Sequence, residues 1–192
     1  MRRALVVAVL LAACTSGTGG PAPTTTPSPS DSGPATTSTT IPATTTVATI
    51  GHDRELAPDF SLELHSGEVF TLSETDKPVY LIFWAEWCPV CNKELPVVDE
   101  VAAEYADRVD FIAPVWRSVP ESAVEAAARL MPSGAIRWGL DNEEIIFGLY
   151  GVPYQPVTIL IASDQTVVEQ WAGVRKPDEI RDSIERLITV TG

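Results

Sequence analysis

The sequence predicts an α/β fold: a central mixed β-sheet with helices on both faces and an N-terminal β-hairpin. Three observations lead there. Two near-continuous apolar runs, 79–84 and 109–116, read as strands buried on both faces. Between them lies a stretch with apolar residues at helical spacing, and a strand–helix–strand order implies a right-handed crossover with parallel pairing. Two further strand pairs, 60–64 with 68–72 and 157–162 with 166–171, are each joined by a short turn and add antiparallel partners.

Each element has its own signal. The first pair turns through His65-Ser66-Gly67. The helix after Cys88 carries Leu95, Val98, Val101, Ala102 and Tyr105 on one face, with Pro96 inside it to bend its first turns. An Ala-rich helix is expected over 121–130 and a shorter one over 143–149. The closing hairpin crosses Ser163-Asp164. Over 177–188 the last helix has Pro177 at its first position and Asp178 and Glu179 in its first turn, where the helix dipole favours negative charge.

Upstream of these elements the 192-residue chain is not globular in character. Arg2 and Arg3 precede an apolar run, 4–11, too short to span a bilayer, as in an export signal. The run ends in Leu11-Ala12-Ala13-Cys14, which resembles a bacterial lipobox. That resemblance implies cleavage before Cys14 and a lipid on its sulfur. The alternative is an ordinary secretory signal with an incidental cysteine. In 15–50, 24 of 36 positions are Pro, Ser or Thr and the one charged residue is Asp31. Such a segment cannot bury enough apolar surface to order itself. The expected organisation is therefore a signal peptide over 1–13, a lipid-anchored disordered linker over 14–50 and a folded domain over 51–192. The domain is expected outside the cytoplasm, anchored to the bacterial cell membrane, or secreted if Cys14 carries no lipid. With 13 basic and 26 acidic residues the net charge is −13, which argues against nucleic acid or anionic lipid as a partner.

With Cys14 assigned to lipid, two of the three cysteines remain, spaced as Cys88-x-x-Cys91. Disulfide stabilisation grows with the length of the closed loop, so this pair is read as chemical rather than structural. It lies where a buried strand feeds a helix. Unsatisfied N–H groups and the positive end of the dipole there stabilise a thiolate, lowering its pKa from about 8.5 into the range of about 3.5–7.5. Cys88 is then the attacking nucleophile and Cys91 the resolving thiol. A structural zinc site needs four ligands; His52 and His65 are the two histidines, placed in a linker and a turn and expected to be solvated. No metal and no cofactor is expected.

The stretch Phe83-Trp84-Ala85-Glu86-Trp87-Cys88-Pro89-Val90-Cys91-Asn92-Lys93-Glu94-Leu95-Pro96 resembles the active-site strand and helix of thioredoxins. Its Cys-x-x-Cys-x-x-Glu-x-Pro extension is similar to the extracytoplasmic TlpA/ResA and CcmG/DsbE group. Ala57-Pro58-Asp59-Phe60, the loop 150–158 and Trp171-Ala172-Gly173 fit the same group. The resemblance spans roughly 55–190 and implies a thioredoxin-like fold and thiol–disulfide exchange with cysteine-containing clients and a membrane redox partner, by a monomer. It further implies that Pro156 is the cis-proline facing the dithiol. Gln155 would offer its backbone to an extended client, with Trp87, Pro89 and Val90 as the other contact residues. Tyr154 and Val157 depart from the Gly and Thr common in the group. Glu94 would tune the cysteines or shuttle a proton, since Ile82 occupies the position of the buried Asp of thioredoxins. Trp84 and Trp87 are read as packing and site walls, and Lys93 as exposed.

Other chemistries fit less well. Ala85 stands where a peroxidatic site of the related fold carries Thr, and a copper chaperone needs CxxxC and a downstream His. The CPxC pattern and Glu94 resemble cytochrome-maturation reductants. An oxidant for the folding of exported proteins is the alternative, and a redox-inactive binding lipoprotein on the same scaffold is the reading from another class.

Overall fold

The computed structural model describes residues 54–191. The expectations for the signal, Cys14, the linker and His52 lie outside these residues. Strands β1 (Ser61–Glu63) and β2 (Val69–Thr71) pair antiparallel as the expected hairpin. A five-stranded sheet follows in the order β5-β4-β3-β6-β7, built from β3 (Val79–Phe83), β4 (Asp110–Val115), β5 (Ile136–Leu140), β6 (Val157–Ile161) and β7 (Val167–Ala172). β3 runs parallel to β4 and antiparallel to β6. Every residue of β3 is buried, which is why its run is apolar without alternation.

The alternating side chains of β3 divide between two cores. Tyr80, Ile82 and Trp84 face helices α1 (Cys91–Tyr105), α2 (Pro120–Leu130) and α4 (Pro177–Thr191). Leu81 and Phe83 face the hairpin and the short helix α3 (Ile145–Leu149). This is a thioredoxin-like fold with helices on both faces, as expected. α1 is continuous from Cys91 to Tyr105 with Pro96 inside it. Asp141 holds α3 in place: its carboxylate accepts the backbone N–H groups of Ile145, Ile146 and Phe147 at 2.9–3.0 Å.

Sequence patterning missed β5. It is an edge strand that pairs parallel with β4, and its IRWGL sequence mixes a cation, a half-buried Trp and a glycine. Gly139 is required there, because a Cβ would come within 2.1 Å of the Glu63 carbonyl oxygen. The hairpin thus lies directly against β5, and the His65 N–H donates to the Trp138 carbonyl at 2.7 Å. The opposite margin is covered by the start of the domain. Ala57 N–H donates to the Gln165 carbonyl and Val167 N–H to the Glu55 carbonyl, both at 2.8 Å.

Candidate active site

The dithiol lies between the end of β3 and the start of α1. Cys88 and Cys91 form a disulfide with Cα atoms 5.3 Å apart. α1 begins at Cys91, three residues beyond Cys88, so its first N–H groups point back at the loop carrying the first sulfur. The Cys91 N–H donates to Cys88 Sγ at 3.1 Å. Cys88 is 4% exposed and Cys91 fully buried, which separates an approachable sulfur from an enclosed one.

The sequence expectations converge on this place. The Gln155–Pro156 bond is cis, and the Gln155 carbonyl oxygen is 3.8 Å from Cys88 Sγ. Trp87 and Val90 are exposed beside the cysteines at 51% and 42%, and Pro89 between them is exposed too. Tyr154 is likewise exposed. Lys93 is exposed, as expected. Trp84 is fully buried in the core, whereas Trp87 leans on Trp116 with ring centroids 5.8 Å apart. His65 is exposed at its turn, as expected, but stacks on Trp138 with centroids 4.5 Å apart.

Beneath the disulfide the site becomes polar in an unusual way. Glu94, in the first turn of α1, is completely buried and neither carboxyl oxygen has a hydrogen-bond partner. Burial pushes its pKa up from 4.5 to about 8, and the positive charge of Arg175 works in the opposite direction. The hydroxyls of Tyr80 on β3 and Thr158 on β6 are buried here too and interact with each other. The Tyr80 phenol is raised by its own burial and next by the Glu94 carboxyl.

A second set of residues, absent from the sequence reading, walls the other side. Arg117 and Glu144 both adopt positive φ, at 46° and 59°. They are joined by an ion pair in which Arg117 Nε donates to Glu144 Oε1 at 2.6 Å. The Arg117 guanidinium covers the Trp116 ring at 4.6 Å, and its carbonyl accepts the Trp87 indole N–H at 3.3 Å. The Ser118 hydroxyl donates to the Glu86 carboxylate, and Asn142 pairs with the Ser118 backbone. No residue spacing marks these groups, since they come from three separate loops, at 86–87, 116–118 and 142–144. Among the described residues, no three His, Cys, Asp or Glu side chains gather as a metal-binding set.

Known proteins have related sequences and structures. Residues 53–188 match the family model described as Redoxin. The chain is 40% identical over 130 residues to the thioredoxin-like protein YneN of Bacillus subtilis (strain 168), covering 67% of this chain and 76% of that protein. It is 28% identical over 135 residues to the thiol–disulfide oxidoreductase ResA of Bacillus anthracis, covering 68% and 76%. Among solved structures, the pneumococcal exposed lipoprotein thioredoxin of Streptococcus pneumoniae strain TIGR4 superposes with a TM-score of 0.59. It is 27% identical, and the match covers 68% of this chain and all of that one.

Proposed function

Because this chain belongs to the redoxin family and is a thiol–disulfide oxidoreductase of the ResA/DsbE type, we propose that it reduces disulfides in exported client proteins, with Cys88 as nucleophile and Cys91 as resolving thiol. The observation that carries this reading is the Cys91 N–H directed at Cys88 Sγ. The same amide stabilises negative charge on that sulfur when the disulfide is open.

The chemistry runs in two displacements. The Cys88 thiolate attacks one sulfur of a client disulfide, forming a mixed disulfide and releasing the other client sulfur as a thiolate. Cys91 then attacks Cys88, the first client sulfur leaves, and the dithiol's two electrons have passed to the client. Cys91 must lose its proton in this second step, and Glu94 is the acceptor. A carboxyl raised to about 8 beside the closed disulfide is mainly neutral at pH 7, so the oxidised protein retains that proton. It is then available to the departing Cys91 sulfur when a redox partner reopens the bond.

The client's extended segment lies along Gln155 and Pro156, with the Gln155 carbonyl turned toward Cys88 and Trp87, Pro89 and Val90 as flanking contacts. The domain works outside the cytoplasm as a monomer, held by lipid on Cys14 through a linker over 14–50 and re-reduced by a membrane partner. Similarity to an exposed lipoprotein thioredoxin supports the lipid anchor and the place outside the cytoplasm. An oxidant acting in the folding of exported proteins would use the same two displacements in reverse. The reduction potential decides between them. Related dithiols span about −270 to −120 mV, and a value above about −150 mV, measured against glutathione, would overturn the reductant reading.

A further inference from the structure

Arg175 lies in the connection between β7 and α4 and is partly buried, its side chain 27% exposed. Its guanidinium stacks 3.8 Å above the Trp171 ring, and that indole meets the Tyr80 ring nearly at right angles with centroids 5.9 Å apart. Trp171 is also the register partner of Thr158, the β6 residue opposite Ile82. The stack therefore leads from the sheet margin to the buried polar atoms beneath the dithiol. Arg175 is tied in this position from two sides. Nη1 donates to Glu169 Oε1 at 2.6 Å and to the Ser183 hydroxyl at 3.0 Å. Arg186 from α4 shares both partners, donating to Glu169 Oε2 at 3.0 Å and to Ser183 at 2.9 Å.

We propose that Arg175 is a positioning residue that acts through Glu94: its clamped charge governs whether Glu94 is ionised, and Glu169 limits how strongly it does so. The groups around Glu94 leave Arg175 this role. β3 contributes the neutral phenol of Tyr80 and β6 the hydroxyl of Thr158. α1 contributes Cys91, which is in the disulfide, and Lys93, which is exposed. From α4, Ser183 turns inward, while Arg181 is engaged further along α1 by Glu100 and Glu104. Arg175 is the cation that opposes the burial of Glu94. Burial raises Glu169, but its hydrogen bonds from Arg175 and Arg186 outweigh that and hold it below the ordinary range. It therefore stays negative and offsets part of Arg175's field at Glu94. A charge relation between the sheet margin and the redox centre follows, in which two substitutions have opposite signs.

The inference that this sets the pH range of exchange rests on Glu94 being the proton acceptor, and the test separates the two ideas. The Glu94 carboxyl is titrated by carbon NMR in the oxidised full chain for wild type, R175M, R175K, E169Q and R186M. The Glu94 midpoint should move upward in R175M by at least about half a pH unit and downward in E169Q, while R175K stays near wild type. If R175M does not fold, R186M replaces it: Arg186 is 58% exposed, and its loss leaves Glu169 freer to offset Arg175, again moving Glu94 upward. An unmoved midpoint, or the same direction of movement in R175M and E169Q, overturns the proposal. The pH profile of client-disulfide reduction is then recorded on the same variants. A kinetic midpoint that follows the NMR midpoint supports both ideas. One that stays fixed while the NMR midpoint moves leaves the Arg175 assignment standing and removes Glu94 from the exchange step.

Discussion

The backbone N–H of Cys91 points at the sulfur of Cys88 across 3.1 Å, so the helix that carries the second thiol also polarises the first. This relationship separates the two cysteines by role. Cys88→Ser should reduce insulin disulfide exchange to the uncatalysed rate, because no attacking sulfur remains. Cys91→Ser should instead leave a client covalently attached through Cys88, visible as a mass increase removed by dithiothreitol. Equal trapping by both variants would contradict the assignment of nucleophile and resolving thiol.

Glu94 predicts a pH dependence of stability. Its pKa is about 8 folded and 4.5 at its ordinary value, so between these limits the folded state binds more protons than the unfolded state. Stability therefore falls as pH rises through that window, by up to about 1.4 kcal/mol per pH unit for one group, and is level above about pH 8. Glu94→Gln should remove this contribution in the oxidised protein, raising stability above pH 7 relative to wild type. Urea denaturation at a series of pH values from 4.5 to 9 checks this, and parallel curves for the two proteins would refute it.

The contact between β1 and β5 predicts a steric effect far from the dithiol. A Gly139→Ala methyl would meet the Glu63 carbonyl, a backbone atom that cannot swing aside. A loss of about 1–3 kcal/mol is expected in chemical denaturation, the range for overpacking a close contact. The insulin-reduction rate of the folded fraction should stay near wild type.

Asp141 predicts a local effect on the wall of the site. Its buried carboxylate accepts three backbone N–H groups that open α3. Asp141→Ala leaves those donors unpaired and should cost about 2–3 kcal/mol, with Asp141→Asn recovering part of it. Hydrogen exchange should quicken at residues 145–147 more than in β3. Uniform acceleration across the domain would indicate a global rather than a local role.

Much of this architecture was readable before the structure, for identifiable reasons. β3 and β4 are covered on both faces, so burial left continuous apolar runs in the sequence. The cysteines, Glu94 and Pro96 lie within one short motif, which local spacing displays. β5 escaped because it is a margin strand whose Arg137 pairs with Asp110 and whose Gly139 exists for a neighbour, so neither residue reads as strand. Arg175 and Glu94 are 81 positions apart, and Arg117 and Glu144 are 27 apart. Pairs of that kind are made by topology and carry no periodic signal. The one clue available was a hydroxyl within each apolar strand, Tyr80 in β3 and Thr158 in β6, both now found near the dithiol helix.

The N-terminal part of the domain covers both borders of the five-stranded sheet, the hairpin against β5 and residues 55–57 against the start of β7. Open sheet borders are templates on which a second chain can add its own strand and begin a fibre. Residues 55–71 occupy those templates, so trimming them should favour self-association even while the redox motif remains intact.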